Sequence, residues 1–544
     1  MGDNADNTMS DATEDSSAVV IVDEFQSLQQ KSEELFEELK HLPQFGQRIW
    51  QPYFGKAFST FTKLWKSQQE HRPILEESGV LQKWDIGNIA SRIGQLYYHF
   101  YLKTSKVNYL DEAFQFYSVI KSRGYYKDAD SKELAVKKMR YYTRFIVVCL
   151  LLDKKAKLQE LIQDLSVLVN NYHETYEIED KKEWNAVTTE LKAFSSSNCI
   201  VRIIGDDGKP VNPTYRCTQI LDAERTVMSS NLQLKEAVVI GNCTGQVKFS
   251  DLTVDTFRFL QLLEYDPSLC KRSKQDLTNP HKYILYKPTF NQICTYLSAG
   301  IQELPIDGVM LCYVSSIGYM PTYKPSQIEE FGLHFSGGVR TGPAERTKAM
   351  PDPQCLYPLD LLPFTRRPLM VIIDSDNSVV FKNMYNVFGQ PLLVLMSPSS
   401  YPQPFQGLSK EGNLLTLFLY SPLEALCVIC SVSVVSHQNW VKCEQILDRT
   451  LEKILQLCGN CHSLDMRVCQ LMGDSLLAPL IAKFLFCSST LYLHQVFKEP
   501  AHLPTSFPEF PSKEIIHHPS ILASILSISS LLEVRSLFYE LNDL

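Results

Sequence analysis

None of the common catalytic signatures occurs in this 544-residue sequence. Glycine patterns that cradle dinucleotides or phosphates are absent, as are the HExxH and GxSxG motifs, and no clustered acid pair suits glycoside chemistry. An enzymatic reading therefore starts with nothing positive behind it. Positive charge is not in excess either: 53 Lys and Arg stand against 61 Asp and Glu, a formal charge of -8. Wrapping duplex DNA calls for a basic face, so this balance argues against it while leaving room for a local basic strip. A secretory leader is not expected, because Met1 to Ser17 is acidic and polar where a leader is basic and then apolar. Asp6 stands where an N-terminal acylation signal wants Ser or Thr. The 15 cysteines are scattered, so reduced thiols in the nucleus or cytosol are the expectation.

What is present is ordinary globular material, 44% hydrophobic and 21% charged, and enough of it for two or three domains. Residues 1–18 read as a disordered acidic tail. Residues 19–195 read as helical. Ile86, Ile89, Ile93, Leu96, Tyr97 and Phe100 recur at helical spacing, as do Leu110, Ala113, Phe114, Tyr117 and Ile120, and then Leu158, Leu161, Ile162, Leu165 and Leu168. Short breaks between the stripes suggest stacked, tetratricopeptide-like helical hairpins, though without a clean 34-residue period, and equally a plain helical bundle without a groove. Residues 196–445 change texture. Cys199–Ile204, Ala237–Ile240, Val309–Val314, Leu369–Ile373 and Leu392–Met396 are short apolar runs that suit strands covered on both faces. Helical segments at Asp255–Leu263, Phe290–Ala299 and Val379–Phe388 separate them, which predicts a central α/β layer domain. Residues 446–544 return to helix, with a proline-marked loop at Pro504, Pro508 and Pro511 before a last helix near Ile521–Tyr539.

Asn413–Val435 carries a single charge, Glu424, across 23 residues. Pro422 and the hydroxyl residues bring its membrane-insertion balance close to zero, so a buried core segment is preferred to a membrane-tethering span. Cys458, Cys461, His462 and Cys469 offer four zinc-ligand types, but beside helical stripes rather than on turns, and a helix end is the preferred reading. Lys137, Lys138, Arg140 and Arg144 alternate with Tyr141, Tyr142 and Phe145. That interleaving suits single-stranded nucleic acid, and equally a helix with aromatics inward and a basic edge outward. Lys271–Lys274 is a short basic cluster in a polar loop. The dense aromatics around Tyr97, Tyr98, Tyr101 and Tyr117 suggest a partner-binding groove, since tyrosine is enriched at interface hot spots.

Several blocks resemble the SCAI (suppressor of cancer cell invasion) family. They include Ile93–His99, Arg144–Leu152, Ile240–Cys243 with Gln246–Ser250, Asn279–Tyr283, Tyr286–Phe290, Pro363–Leu369, Asp374–Ser378 and Phe388–Leu392. They run in order along the chain, though an acidic start stands where some members carry a basic extension. The resemblance implies a non-enzymatic regulator of nucleus and cytoplasm without a cofactor. Its implied partners are serum response factor, myocardin-related coactivators, and DNA repair proteins including DNA polymerase zeta.

A weaker resemblance is to caspase-like α/β domains. Leu333–Gly338 would be the first element and Met370–Asp376 the second, followed by Gly389-Gln390-Pro391 and Leu392–Met396. Gly337 would then stand in place of the base and Asp376 in place of the thiol, leaving a scaffold without protease chemistry. Asp374, Asp376 and Asn377 also lie where α/β folds bind ligands, so a degenerate hydrolase retaining a ligand there is the alternative. A turn and helix cap is the preferred reading of those three residues.

Overall fold

The computed structural model describes residues 6–43, 45–46, 49–127, 131–176, 180–197, 200–211, 213, 215–217, 231–243, 245–266, 269, 277–319, 338–342 and 354–541, with side chains from residue 17 onward except at 408–409. The chain divides into two compact units, Met1–Thr189 and Glu190–Leu544.

The first unit is helical. Helix α1 (Asp6–Lys40) starts inside the stretch expected to be a disordered tail, and no proline or glycine interrupts residues 3–42 to stop it. It is followed by α2 (Gln51–Glu70) and the short α3 (Arg72–Glu77). Helix α4 (Lys83–Thr104) ends at Ser105, which turns left-handed at φ 52°, and α5 (Val107–Arg123) begins two residues later. Helices α6 (Lys132–Leu151) and α7 (Lys155–Thr175) are joined as tightly, with Asp153 at φ 55°, and α8 (Lys181–Ser197) carries the boundary between the units. The expected hairpins are therefore present. They open at Lys83 and Lys132, a wider spacing than the ~34 residues of a tetratricopeptide repeat, so that likeness goes no further than the hairpins.

The predicted stripes face inward: Ile86, Ile89, Ile93 and Leu96 are buried, as are Leu110, Ala113, Tyr117 and Ile120. Close packing of α4 on α5 depends on Gly94. A Cβ there would sit 2.8 Å from the Tyr117 ring, which is fully buried.

The second unit is built on a six-stranded sheet. Its strands are β1 (Gln233–Asn242), β2 (His281–Tyr286), β3 (Gly308–Ser316), β4 (Leu369–Asp374), β5 (Leu392–Met396) and β6 (Thr505–Phe507), in the order β2-β1-β3-β4-β5-β6. The first five run parallel, and β6 is antiparallel to β5. Every residue of β3, β4 and β5 is buried, as continuous apolar runs require when both faces are covered. Helix α9 (Val254–Leu262) follows β1, and α10 (Phe290–Glu303) joins β2 to β3.

Where α10 packs, Val238, Ile240, Met310, Cys312, Val314, Val371, Ile373, Val394 and Met396 form one core with Ile293 and Leu297. The chain continues through α11 (Leu414–Tyr420), α12 (Pro422–Ile429), α13 (His437–Asn460), α14 (Met466–Leu471), α15 (Leu477–Leu493) and α16 (Pro519–Leu531).

Three expectations change, and the buried core segment expected at Asn413–Val435 is present. The helix predicted over Val379–Phe388 is only a 3₁₀ turn, Ser378–Asn383, because its valines and asparagines are poor helix formers. Residues 446–544 are not a region apart, since they supply β6 to the sheet edge. The candidate membrane segment is broken at Ser421–Pro422 into α11 and α12, and all seven residues of α11 are buried. No helix among the described residues is long and apolar enough to cross a membrane. The last helix stops at Leu531, and Glu533 then turns left-handed at φ 62°.

Gly94 and Gly55 give a paired test. Gly94→Ala forces a methyl onto Tyr117 and is expected to destabilise by about 1–3 kcal/mol, less the helix propensity it gains. Gly55 lies in α2 with nothing within 4 Å of its Cβ position, so Gly55→Ala should stabilise by up to ~1 kcal/mol. Thermal melts should move in opposite directions.

Candidate functional site

In this strand order the crevice for a ligand lies at the carboxyl ends of β1 and β3, where the winding reverses. Those ends carry Asn242 and Cys243, then Ser315 and Ser316, with Asp374 ending the neighbouring β4. The crevice is filled by the chain itself. Asp255, in the first turn of α9, accepts from the Asn413 amide (3.0 Å), Gln246 Nε2 (2.7 Å) and Ser315 Oγ (2.9 Å). Asp374 accepts from the Thr416 amide (3.0 Å) and from its Oγ1 (2.6 Å). Tyr313 shares a 2.6 Å hydrogen bond with the same Thr416 hydroxyl and stacks on Phe259 at 3.9 Å. Two buried carboxylates from different elements thus hold the N-terminal amides of α11. Gly412, at φ 108°, lets the chain enter there, and a Cβ at that position would collide with the Arg258 guanidinium and the Asp255 carboxylate.

The electrostatics follow from the burial. Asp374 is pushed up to about 7, first by burial and then by the charge of Asp255. Asp255 is raised as well, by burial, with Arg258 and its hydrogen bonds pulling the other way. The Cys243 thiol is pushed up to about 12 by burial and by Asp255, so it is a protonated thiol at neutral pH rather than a nucleophile.

The degenerate-site residues therefore have structural work. Asp374 belongs to the α11 dock, not to an open ligand site. Asp376 Oδ1 accepts from the Gly318 amide, and Asn377 Nδ2 donates to the carbonyls of Tyr319 (2.8 Å) and Gly338 (3.2 Å). Asn377 precedes the 3₁₀ turn without capping it through its side chain. Gly337 and His334 lie outside the described residues, and the strand flanking β4 on that side is β3, ending at Ser316. Asp255, the carboxylate that completes this site, reads in the sequence only as the start of a helix.

In the helical unit the four tyrosines divide between core and partial exposure. Tyr101 and Tyr117 are buried core, while Tyr97 and Tyr98 are half-buried. Tyr97 stacks among Phe58, Tyr109 and Phe116. The interleaved segment separates cleanly on α6. Tyr141 and Phe145 are buried and unavailable for stacking and Tyr142 is half-buried, whereas Lys137, Arg140 and Arg144 line a cleft of about 690 Å³ against α1 and α4. The spacing of those three puts them on one helix face.

On the far wall, Glu33 pairs with Arg92 (2.8 Å) and Glu37 with Lys40 (2.6 Å). Among the described residues, no carboxylate pairs with Lys137, Arg140 or Arg144. Burial lowers the pKa of Arg144, and Arg140 and Arg92 add repulsion. Arg92 escapes a sequence reading because it sits between stripe residues without belonging to them.

Cys458, Cys461, His462 and Cys469 do not bring ligand atoms together as a metal group among the described residues: Cys458 is buried in α13, and the Cys461 thiol bonds the Glu514 carboxylate. Lys271–Lys274 lies outside the described residues.

The family model described as Protein SCAI matches residues 27–497. The chain is 42% identical to human Protein SCAI over 95% of this chain and 89% of that one, and equally to the mouse protein. It is 30% identical to a Dictyostelium discoideum Protein SCAI homolog over 96% of this chain and 91% of that one. No solved structure matches it.

The carboxylate dock makes stability depend on pH. Folded Asp374 holds its proton up to about pH 7, and an unfolded aspartate releases it near 3.9, so the folded state binds more protons in between. Stability must then fall as pH rises through that window, by at most about 1.4 kcal/mol per unit. The protein is expected to melt several degrees lower at pH 7.5 than at pH 5.5, and Asp374→Asn should shrink the gap. A gap of unchanged size would show that Asp374 is ionised throughout.

Proposed function

We propose that this chain, which belongs to the SCAI family, is a regulatory scaffold of the nucleus and cytoplasm that restrains transcription driven by serum response factor and its myocardin-related coactivators. On the same reading it supports repair of DNA double-strand breaks, with repair proteins including DNA polymerase zeta among its partners, and it restrains cell migration through the transcriptional arm. It works by holding proteins, not by chemistry. The observation that carries this is the fate of the sheet's carboxyl end: the carboxylates and hydroxyls a catalytic site would need are bonded to the amides and side chains that dock α11. Ligand binding at Asp374, the rival reading, finds its oxygen already taken.

The second unit is then a caspase-like scaffold that has lost its chemistry. Supporting this are the continuous run from β4 through a 3₁₀ turn and Gly389-Gln390-Pro391 to β5, and Asp376 where a thiol would stand.

The partner surface we assign is the cleft of the helical unit. Three uncompensated cations on one wall suit an acidic segment of a partner, and charge complementarity of this kind sets specificity and on-rate. The double change Lys137→Glu and Arg140→Glu, both at exposed positions, leaves the partly buried Arg144 and the aromatic face of α6 untouched. It should weaken recovery of coactivator from nuclease-treated nuclear extract by at least ~10-fold and relieve repression of a serum-response reporter, with melting little changed. Full repression by the double variant would remove the cleft from the mechanism. Loss of repression with coactivator still bound would separate the transcriptional role from the cleft.

A further inference from the structure

At the opposite end of the sheet from the α11 dock, three metal-ligand side chains from three elements meet. Glu236 is on β1, and His281 faces it directly in register on β2. Glu303 is the last residue of α10, which packs over β1. Their ligand atoms all lie within 4.8 Å of one another, and His281 Nδ1 is 2.7 Å from Glu236 Oε2. Glu236 and His281 are 4% and 8% exposed, so this is an interior cluster and not a solvated acidic patch.

Glu303 stands at the C-terminus of α10, where the helix dipole presents negative charge. Burial holds Glu236 above the usual carboxylate range, with Glu303 adding to the effect against the His281 hydrogen bond. A divalent cation where the three ligand atoms meet offsets negative charge from both carboxylates. Backbone geometry helps place the ligands: the β1–β3 register shifts between Leu234 and Glu236, a bulge of the kind that re-aims a side chain.

We propose that Glu236, His281 and Glu303 form a binding site for a first-row divalent metal ion, zinc foremost, that clamps edge strand β2 and the end of α10 onto β1. One imidazole and two carboxylates suit zinc, cobalt or manganese, and three protein ligands leave a fourth position for water. Ligand atoms around a tetrahedral zinc at about 2.0–2.1 Å are roughly 3.3 Å apart. The Glu236–His281 contact has to open by about half an ångström, and the Glu303 side chain has to close in. Binding displaces any proton held between Nδ1 and Oε2, so affinity should rise with pH until His281 and both carboxylates are fully deprotonated.

The full chain, stripped with a chelator and kept reduced, would be titrated with cobalt(II) alone. Thiolate ligation by the cysteines gives a strong near-ultraviolet charge-transfer band, whereas this site gives only weak visible bands. We expect one equivalent bound without the thiolate band, and a melting temperature raised by the metal. Glu303→Gln, at a half-buried helix end, should fold normally and bind at least ~10-fold more weakly, and His281→Gln should lose the visible bands. No uptake by the wild-type chain, uptake carrying the thiolate band, or equal affinity in Glu303→Gln would each overturn the site.

Discussion

Two carboxylates and the amino end of one short helix organise the sheet unit. Asp255 in the first turn of α9 and Asp374 at the end of β4 reach the backbone amides of Asn413 and Thr416, and all seven residues of α11 are buried. Burying its four leucines and two aromatics contributes on the order of 10 kcal/mol. Against that gain stands the desolvation of two acidic groups, which the fold reduces by supplying five hydrogen bonds and by keeping a proton on the pair. Burial alone would leave α11 free to slide along the apolar face. The carboxylates fix its position, since each amide has one acceptor in reach.

That arrangement explains how a stretch so apolar belongs to a packed core. Hydropathy sees an uninterrupted run from Asn413 to Val435. The structure shows a break at Ser421–Pro422, Glu424 bonded to the Tyr215 hydroxyl at 2.6 Å, and two short helices, the first packed on α9 and α15. It also shows why the carboxyl end of the sheet, the customary place for ligands in doubly wound folds, is closed among the described residues.

Much of the architecture was legible because it rests on local pattern. Continuous aliphatic runs at Val309–Val314, Leu369–Ile373 and Leu392–Met396 could satisfy burial only as interior strands, and the helical stripes at Ile86 and Leu158 had one face to hide. What escaped depends on partners far away in sequence. Strand β2 reads His-Lys-Tyr-Ile-Leu-Tyr, and only the pairing with β1 shows which side chains turn inward. Strand β6 is three residues between Pro504 and Pro508, recognisable as a strand only beside β5. Asp255 and Asp374 are 119 positions apart, so nothing local announces that they share one helix end. The tyrosines divide for the same reason: density of Tyr97, Tyr98, Tyr101 and Tyr117 along α4 and α5 does not say which of them packing buries, and Tyr101 and Tyr117 are the two it does.

Strand β6 has a consequence for how the protein is made. The outer edge of β5 is complete as soon as Met396 is synthesised, yet the residues that cover it, Thr505–Phe507, come more than a hundred positions later. At a translation rate of about 5–20 residues per second, that edge waits on the order of ten seconds for its neighbour. During that interval the nascent chain presents a flat, aliphatic strand with unpaired amides and carbonyls, the type of surface that templates aggregation. Premature termination anywhere between the two strands would make the exposure permanent, and such fragments would be clients for chaperones or proteases rather than weakened versions of the regulator.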